Sequence, residues 1–238
     1  MKPPIYEPKG KAKEYGDLAL NIYTGCPHCC YYCFAPNVLH KTKEDFHQHV
    51  EPRPGIVEEV RKQLEKEKIT DKLIHMCFTC DPYPTGYDTS ATREIIKLLK
   101  EYGNHVQILT KGDGSRDFDL LDSEDWYGIT ISCDGELARA AEPKATPPAI
   151  RLHALEEAHK KGIKTWISFE PVLDTETVFY CIASDFDLFD KVKVGKLNYH
   201  KSDIDWYSFG HTIEKLLQEA GCDYYIKDSL RAEMERGR

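Results

Sequence analysis

Four cysteines fall within eight residues, Cys26-Pro-His-Cys29-Cys30-Tyr-Tyr-Cys33, and three of them, Cys26, Cys30 and Cys33, are spaced Cys-x3-Cys-x2-Cys. Thiolates are the ligands of iron–sulfur clusters, and three on one short loop serve three irons of a [4Fe–4S] cube. The fourth iron is then left without a protein ligand and is open to a cofactor. Two other chemistries use the same residue type. Cys26-x2-Cys29 or Cys30-x2-Cys33 could pair with Cys77-x2-Cys80 in a four-cysteine zinc ribbon, and a Cys-x-x-Cys pair could act as a redox dithiol. Cys77 and Cys80 end an apolar strand run that opens a βα unit, which is not the setting of a zinc knuckle, so the cluster reading leads. Cys29 reads as a small residue packed under the loop, since a fourth protein ligand would close the open iron.

The elements that must position this loop are legible in the rest of the chain. Its 238 residues suffice for one substantial core, and the length favours a single domain spanning 1–238, with its core at about 17–227. No apolar run reaches the roughly 18 residues of a membrane span, and the N-terminus lacks a secretory pattern, so the expected setting is the cytoplasm with no membrane partner. Nine cysteines, an odd number, without such a leader point to metal ligation rather than a disulfide framework. The net charge of −8 argues against broad, non-specific nucleic-acid binding and leaves room for a local basic groove. Lys41, Lys43, His47, His49 and Arg53 cluster after the cysteines, but Glu44, Asp45 and Glu51 interrupt them, and the segment reads as a solvated loop.

Short β-branched or apolar runs recur at Leu18–Tyr23, Leu73–Thr79, Val106–Thr110, Tyr127–Ser132, Thr165–Phe169 and Leu188–Val194, with a further candidate at Asp223–Ile226. Helical patterns lie between them. One runs from about Ile56 to Lys68 with Val57, Val60 and Leu64 on one face. A second follows Asp88-Thr89-Ser90 and ends at Gly103, a third opens at Thr146-Pro147 and closes at Gly162, and a last carries Phe209, Ile213, Leu216 and Leu217 up to Gly221. Repeated βα units give a parallel sheet with right-handed crossovers, and ligands of such sheets bind at the C-terminal strand ends.

The cysteine loop directly after the first strand, with aromatic Tyr32 before the third cysteine, resembles that of the radical S-adenosylmethionine (SAM) superfamily. Phe78-Thr79-Cys80-Asp81-Pro82 after the second strand, Thr110-Lys111-Gly112 after the third, Ile131-Ser132 at the fourth, and Glu136-Leu-Ala-Arg139 with Glu142-Pro143 and Arg151 are similar to the spore photoproduct lyase-like branch. The resemblance covers roughly residues 21–170. It implies a partial (β/α)6 TIM-type barrel, a single [4Fe–4S] cluster on Cys26, Cys30 and Cys33, and SAM on its open iron. It also implies cofactor contacts from Tyr32, from Cys80 or Asp81, from Lys111 against the SAM carboxylate, and from Ser132. Glu170, directly after the fifth strand run, is a further cofactor or substrate candidate, and Lys193, Asn198 and Lys227 are substrate candidates whose bland reading is solvated loop.

The chemistry implied by the resemblance is reductive cleavage of SAM to a 5′-deoxyadenosyl radical that takes hydrogen from a substrate, with a flavodoxin or ferredoxin as electron donor. By analogy with the branch, the first expectation for the substrate is a nucleic-acid base or nucleotide. A peptide or small metabolite stays open. Phe78 stands where the lyase carries its hydrogen-donating cysteine, which puts repair of the spore thymine dimer in doubt; Cys77, Cys80 or Cys133 could donate instead. The alternative of a different kind is a zinc- or cluster-stabilised binding protein without catalysis.

Overall fold

The computed structural model describes residues 3–236. Seven parallel strands form one sheet in sequence order: β1 (Leu18–Leu20), β2 (Leu73–Met76), β3 (His105–Thr110), β4 (Trp126–Thr130), β5 (Lys164–Phe169), β6 (Lys191–Val194) and β7 (Asp223–Ile226). Every strand pairs with the next in sequence, and among the described residues β1 and β7 are not paired with each other. This is the partial barrel that the resemblance implied, with the last strand run taking its place as β7 and making seven strands where six units were counted.

Nine helices connect or flank the strands among the described residues: α1 (Ala35–Val38), α2 (Lys43–Gln48), α3 (Ile56–Glu67), α4 (Ser90–Glu101), α5 (Gly135–Ala141), α6 (Pro148–Lys160), α7 (Thr175–Asp185), α8 (Trp206–Ala220) and α9 (Asp228–Arg236). Apolar spacing explains the packing of the long ones. Ile95, Ile96 and Leu99 of α4 are fully excluded from water, as are Val60 and Leu64 of α3, and each such side chain contributes about 1.5–3 kcal/mol relative to exposure. None of the described helices is long and apolar enough to cross a membrane.

Local polar bonds move three boundaries from their sequence expectation. Pairing in β1 stops at Leu20 because the Asn21 side chain turns to accept the Phe78 and Thr79 N–H groups, both at 2.8 Å. Those two residues are thereby drawn out of β2, which ends at Met76. Strand β6 starts at Lys191 rather than Leu188, since Phe186–Leu188 forms a 3-10 turn whose Leu188 carbonyl accepts from the Thr165 hydroxyl at 2.5 Å. The segment expected as solvated loop contains α2, capped by Thr42 and anchored by fully buried Phe46, although its charged residues are largely exposed.

Candidate active site

The cysteine loop lies between β1 and α1 and is pinned from three directions. From α2, the Phe46 carbonyl accepts the Cys26 N–H at 3.2 Å and the His47 ring meets the Cys26 carbonyl at 2.7 Å. At the end of α5 the Ala141 carbonyl accepts the Tyr31 N–H at 3.1 Å, and Lys144 N–H donates to the His28 carbonyl at 3.2 Å. The third tie is His28 itself, buried inside the loop. Its Nε2 accepts the Thr85 N–H at 3.1 Å, so the ring proton sits on Nδ1, which faces Asp81 at 3.6 Å. Cys29 is half-buried rather than packed under the loop, at a left-handed corner with φ +57°.

All nine cysteines are free thiols, and no three of their sulfurs lie within 4.8 Å of one another among the described residues. Tetrahedral zinc, with Zn–S near 2.3 Å, would need tighter convergence than that, so the zinc-ribbon alternative finds no support in the geometry. Cys30 is buried, Cys26 and Cys33 half-buried. Burial pushes all three thiols up, Cys30 to about 12, with Asp81 adding to the effect at Cys26. Sulfurs buried in this way become thiolates only beside a compensating cation, which the irons of a cluster supply. The residues present therefore fit the group.

Beside the loop, the polar groups from the strand ends form a closed network. Tyr32 donates its hydroxyl to Glu142 in a very short hydrogen bond, so the Ser132 hydroxyl, 3.0 Å away, must donate to Tyr32. Glu142 also receives Arg151 at 2.6 Å and faces the Lys111 ammonium at 3.9 Å. Burial alone would raise the Glu142 carboxyl; Lys111, Arg151 and the hydrogen bonds outweigh it and hold the group below its usual range. Arg151, 1% exposed, spends its other donors on the Thr130 and Thr146 carbonyls at 2.7 and 2.5 Å, which ties the α5–α6 connection to the end of β4. Lys111 lies 5.5 Å from the centre of the Tyr32 ring and keeps ammonium donors free for an incoming carboxylate.

Asp81 is engaged on every side. It accepts the Thr110 hydroxyl at 2.5 Å and the N–H groups of Lys111 and Tyr83 at 2.8 Å each. Its carboxylate thus fixes the Thr110-Lys111-Gly112 turn, and Gly112 has to be glycine there because a Cβ would come within 1.9 Å of the Tyr83 carbonyl oxygen. The Cys80 sulfur accepts the Tyr23 N–H at 3.4 Å. Of the residues singled out in the sequence, Cys26, Cys30, Cys33, Tyr32, Lys111, Ser132 and Asp81 converge on this side of the barrel. Glu142 and Arg151 carry its electrostatics, and His28 holds its loop; the sequence offered the first two as motif matches without roles and gave no signal for His28.

Glu170 faces the barrel interior. It receives the Tyr15 hydroxyl in a very short hydrogen bond and meets Lys227 at 3.3 Å. Lys193 and Lys227, whose bland reading was solvated loop, are instead 5% and 1% exposed, because both point into the barrel. Asn198 accepts from the Lys11 ammonium at 2.9 Å. A cavity of 660 Å³ opens beside the cysteine loop at Tyr31, lined by Leu137, Leu173, Phe179, Leu197 and Phe209. His105, Asp122 and Asp125 also cluster, but Lys100 already bridges the two carboxylates at 2.7 Å each and supplies the positive charge there.

The sequence profile of the radical SAM superfamily matches residues 20–178. The chain belongs to that superfamily. An uncharacterised protein of Acidianus two-tailed virus is 28% identical over 214 residues, covering 80% of this chain and 70% of its own. Uncharacterised mycobacterial relatives also match, and the chain spans about half of their length (49%). Among solved structures, spore photoproduct lyase complexed with dinucleoside spore photoproduct aligns with a TM-score of 0.65 at 12% identity, covering 93% of this chain and 79% of that one. SuiB of Streptococcus suis, bound to its precursor peptide SuiA, aligns with a TM-score of 0.64 at 13% identity, covering 94% and 53%. At these identities the likeness is one of fold. The chain is a radical SAM enzyme with a [4Fe–4S] cluster and SAM as cofactors, and the chemistry they supply when bound is reductive cleavage of SAM to a 5′-deoxyadenosyl radical that removes hydrogen from a substrate. That chemistry implies an external reductant.

Proposed function

We propose that Cys26, Cys30 and Cys33 ligate the cluster and that SAM lies against Tyr32, Lys111 and Ser132, within a single radical SAM core spanning about 17–227. The observation that carries this reading is the network joining the cysteine loop to the strand ends: Tyr32 is one residue from ligand Cys33 and shares hydrogen bonds with Ser132 after β4 and with Glu142, which faces Lys111 after β3. In this assignment Lys111 meets the SAM carboxylate. Asp81, held by three donors, keeps Lys111 in place, and Cys80 completes the wall behind it. Arg151 and His28 act through the groups they position.

For the substrate, the reading is a nucleic-acid base or nucleotide, supported by the likeness to a lyase solved with a dinucleoside; the equal likeness to a peptide-binding enzyme keeps this a matter of site chemistry rather than fold. The cavity beside Tyr31 is of the size used for small ligands. A flavodoxin or ferredoxin in the cytoplasm, where thiols stay reduced, is the electron source in this account. The test is anaerobic purification followed by iron and sulfide analysis and incubation with SAM and a strong reductant. About four irons per chain with release of 5′-deoxyadenosine supports the assignment. Zinc in place of iron, after reconstitution has also failed to install a cluster, would overturn it in favour of a non-catalytic binding protein.

A further inference from the structure

The barrel interior holds a second polar constellation, separate in its hydrogen bonds from the network around Tyr32 and Glu142. His75 on β2, Gln107 on β3, Trp166 and Ser168 on β5, Lys193 on β6 and Lys227 after β7 contribute to a chamber around Tyr15. The Tyr15 ring lies 5.4 Å from the His75 ring and 6.0 Å from Trp166, with the Lys193 and Lys227 ammoniums 4.3 and 4.1 Å from its centre. Glu14 reaches Lys227 at 3.1 Å through its carboxylate and accepts from Lys193 at 2.9 Å through its carbonyl. Gly195 leaves the room this requires, since a Cβ would fall 2.9 Å from the Glu170 carboxyl carbon and 3.0 Å from the Lys227 side chain.

Buried polar atoms of this chamber, donors and an acceptor alike, are left without a hydrogen-bond partner: His75 Nε2 and the Ser168 hydroxyl, and Glu14 Oε2, which meets the Lys227 ammonium at 3.1 Å by charge alone. Gln107 donates its amide to the Tyr15 carbonyl at 3.1 Å and to His75 Nδ1 at 3.2 Å, which puts the His75 proton on Nε2, and that buried N–H has no partner. The Ser168 hydroxyl, in register with Lys193 across β5 and β6, lies beside the Tyr15 hydroxyl without a well-formed hydrogen bond. Lys193 makes a single hydrogen bond and has no carboxylate within 4 Å among the described residues. Each unmet buried donor costs about 1–3 kcal/mol, and two such groups beside a lysine bonded only to a backbone carbonyl make a place suited to an added acceptor. Of the Gly10–Glu14 turn, the Glu14 side chain is drawn inward, to 11% exposure. The turn is held by exchangeable polar contacts: Glu14 to the two lysines, and Lys11 to Asn198.

We infer that the chamber receives a planar ring bearing an anionic group, phosphate or carboxylate, and that Glu14 and Tyr15 mimic that group in the place it would take. The carboxylate of Glu14 stands for the ligand's anion and the Tyr15 ring for its planar part, with the two ammoniums flanking the ring. This inference rests on the reading of the chain as a radical SAM enzyme acting on a base or nucleotide, and it adds that the substrate carries its own negative charge. Burial, with Lys227 next, pushes the Lys193 ammonium down to about 7, and a bound anion is the partner that would restore its charge. Leu197, four residues beyond Lys193, lines the 660 Å³ cavity, so β6 and the loop after it wall both spaces.

The test is equilibrium binding to the full, anaerobically purified chain with three probes: thymidine 5′-monophosphate for a phosphate, orotate for a carboxylate on the same kind of ring, and thymidine as the neutral control. Glu14→Ala is expected to tighten one or both anionic probes by about tenfold, the worth of one charge-assisted contact, and to leave thymidine unchanged. Adding Lys193→Met should abolish that gain; as it removes a buried charge without a carboxylate partner, folding should survive. The phosphate and carboxylate arms tell the two sources apart. If Glu14→Ala leaves both anions within twofold of wild type, or tightens thymidine as much, the inference is wrong. Iron content and 5′-deoxyadenosine release measured on the same samples separate this failure from failure of the radical SAM assignment, because the binding readout requires neither.

Discussion

The two polar regions of this barrel are built on opposite terms. Around the cysteine loop, Tyr32, Ser132, Glu142, Arg151 and Asp81 all find partners, and every strong buried charge faces its opposite. In the interior chamber, His75 and Ser168 lack well-formed hydrogen bonds and Lys193 has no carboxylate, while Glu14 and Tyr15, which fill the space, come from the end of an N-terminal turn held by polar contacts. A satisfied network is rigid and suits a ligand that is the same at every turnover. A network with spare donors, covered by an exchangeable segment, suits a ligand that comes and goes.

Perturbing the two regions should therefore give different signatures. The largest effect is expected from Arg151→Ala, which leaves Glu142 buried beside one fewer cation and frees two carbonyls; breaking such a pair costs about 3–5 kcal/mol, readable as a lowered urea midpoint with the slope unchanged. Next, Lys111→Ala should weaken SAM binding by about tenfold or more, the worth of a hydrogen bond between charged groups, while the iron count holds. Equal SAM affinity in that variant would remove Lys111 from the cofactor site.

Lys193→Met probes the chamber through pH. The unfolded chain keeps the lysine proton up to about pH 10.4, whereas burial makes the folded chain release it at about 7. Between those values the unfolded state binds more protons, so stability rises with pH across the window. Glu14, Glu170, Lys227, His75, Tyr15 and Tyr225 face the same space and stay in both proteins, so the difference between wild type and Lys193→Met isolates this group. The wild type should gain on the variant from pH 7 to 9, and parallel pH profiles would contradict the buried placement. A matched pair, Tyr32→Phe and Tyr15→Phe, sets the two regions side by side, with the smallest effect of all expected from Tyr15→Phe. The first deprives buried Glu142 and Ser132 of a partner and should cost about 1–3 kcal/mol; the second removes a hydroxyl from half-buried Tyr15, leaves Glu170 its Lys227, and should cost about 1 kcal/mol or less. Equal losses would erase the contrast between the regions.

What the sequence disclosed follows the same division. The cysteine spacing, the strand ends and the residues just after them could be read because each is a local pattern, and Tyr32, Lys111 and Ser132 do meet near the cysteine loop. The roles of Glu142 and Arg151 were not legible, because they depend on a bond nine residues apart that reaches back to Tyr32 across 110 residues. The chamber was less legible still. Lys193 and Lys227 could be nominated from their strand-end positions, but their burial depends on Glu14, which lies outside any periodic pattern and meets Lys227 from the far end of the chain. Strand β6 shows a similar limit: the apolar residue Leu188 favours an earlier start, and a hydroxyl from Thr165 decides otherwise.

The assignment of the three cluster ligands is tested most directly by iron and sulfide analysis, with low-temperature EPR of the reduced protein before and after SAM, on Cys30→Ala and Cys29→Ala side by side. The account predicts that Cys29→Ala keeps about four irons and a reduced-cluster signal that SAM alters, whereas Cys30→Ala loses the cluster. A Cys30→Ala protein with a full, SAM-responsive cluster, or loss of the cluster in Cys29→Ala alone, would contradict it.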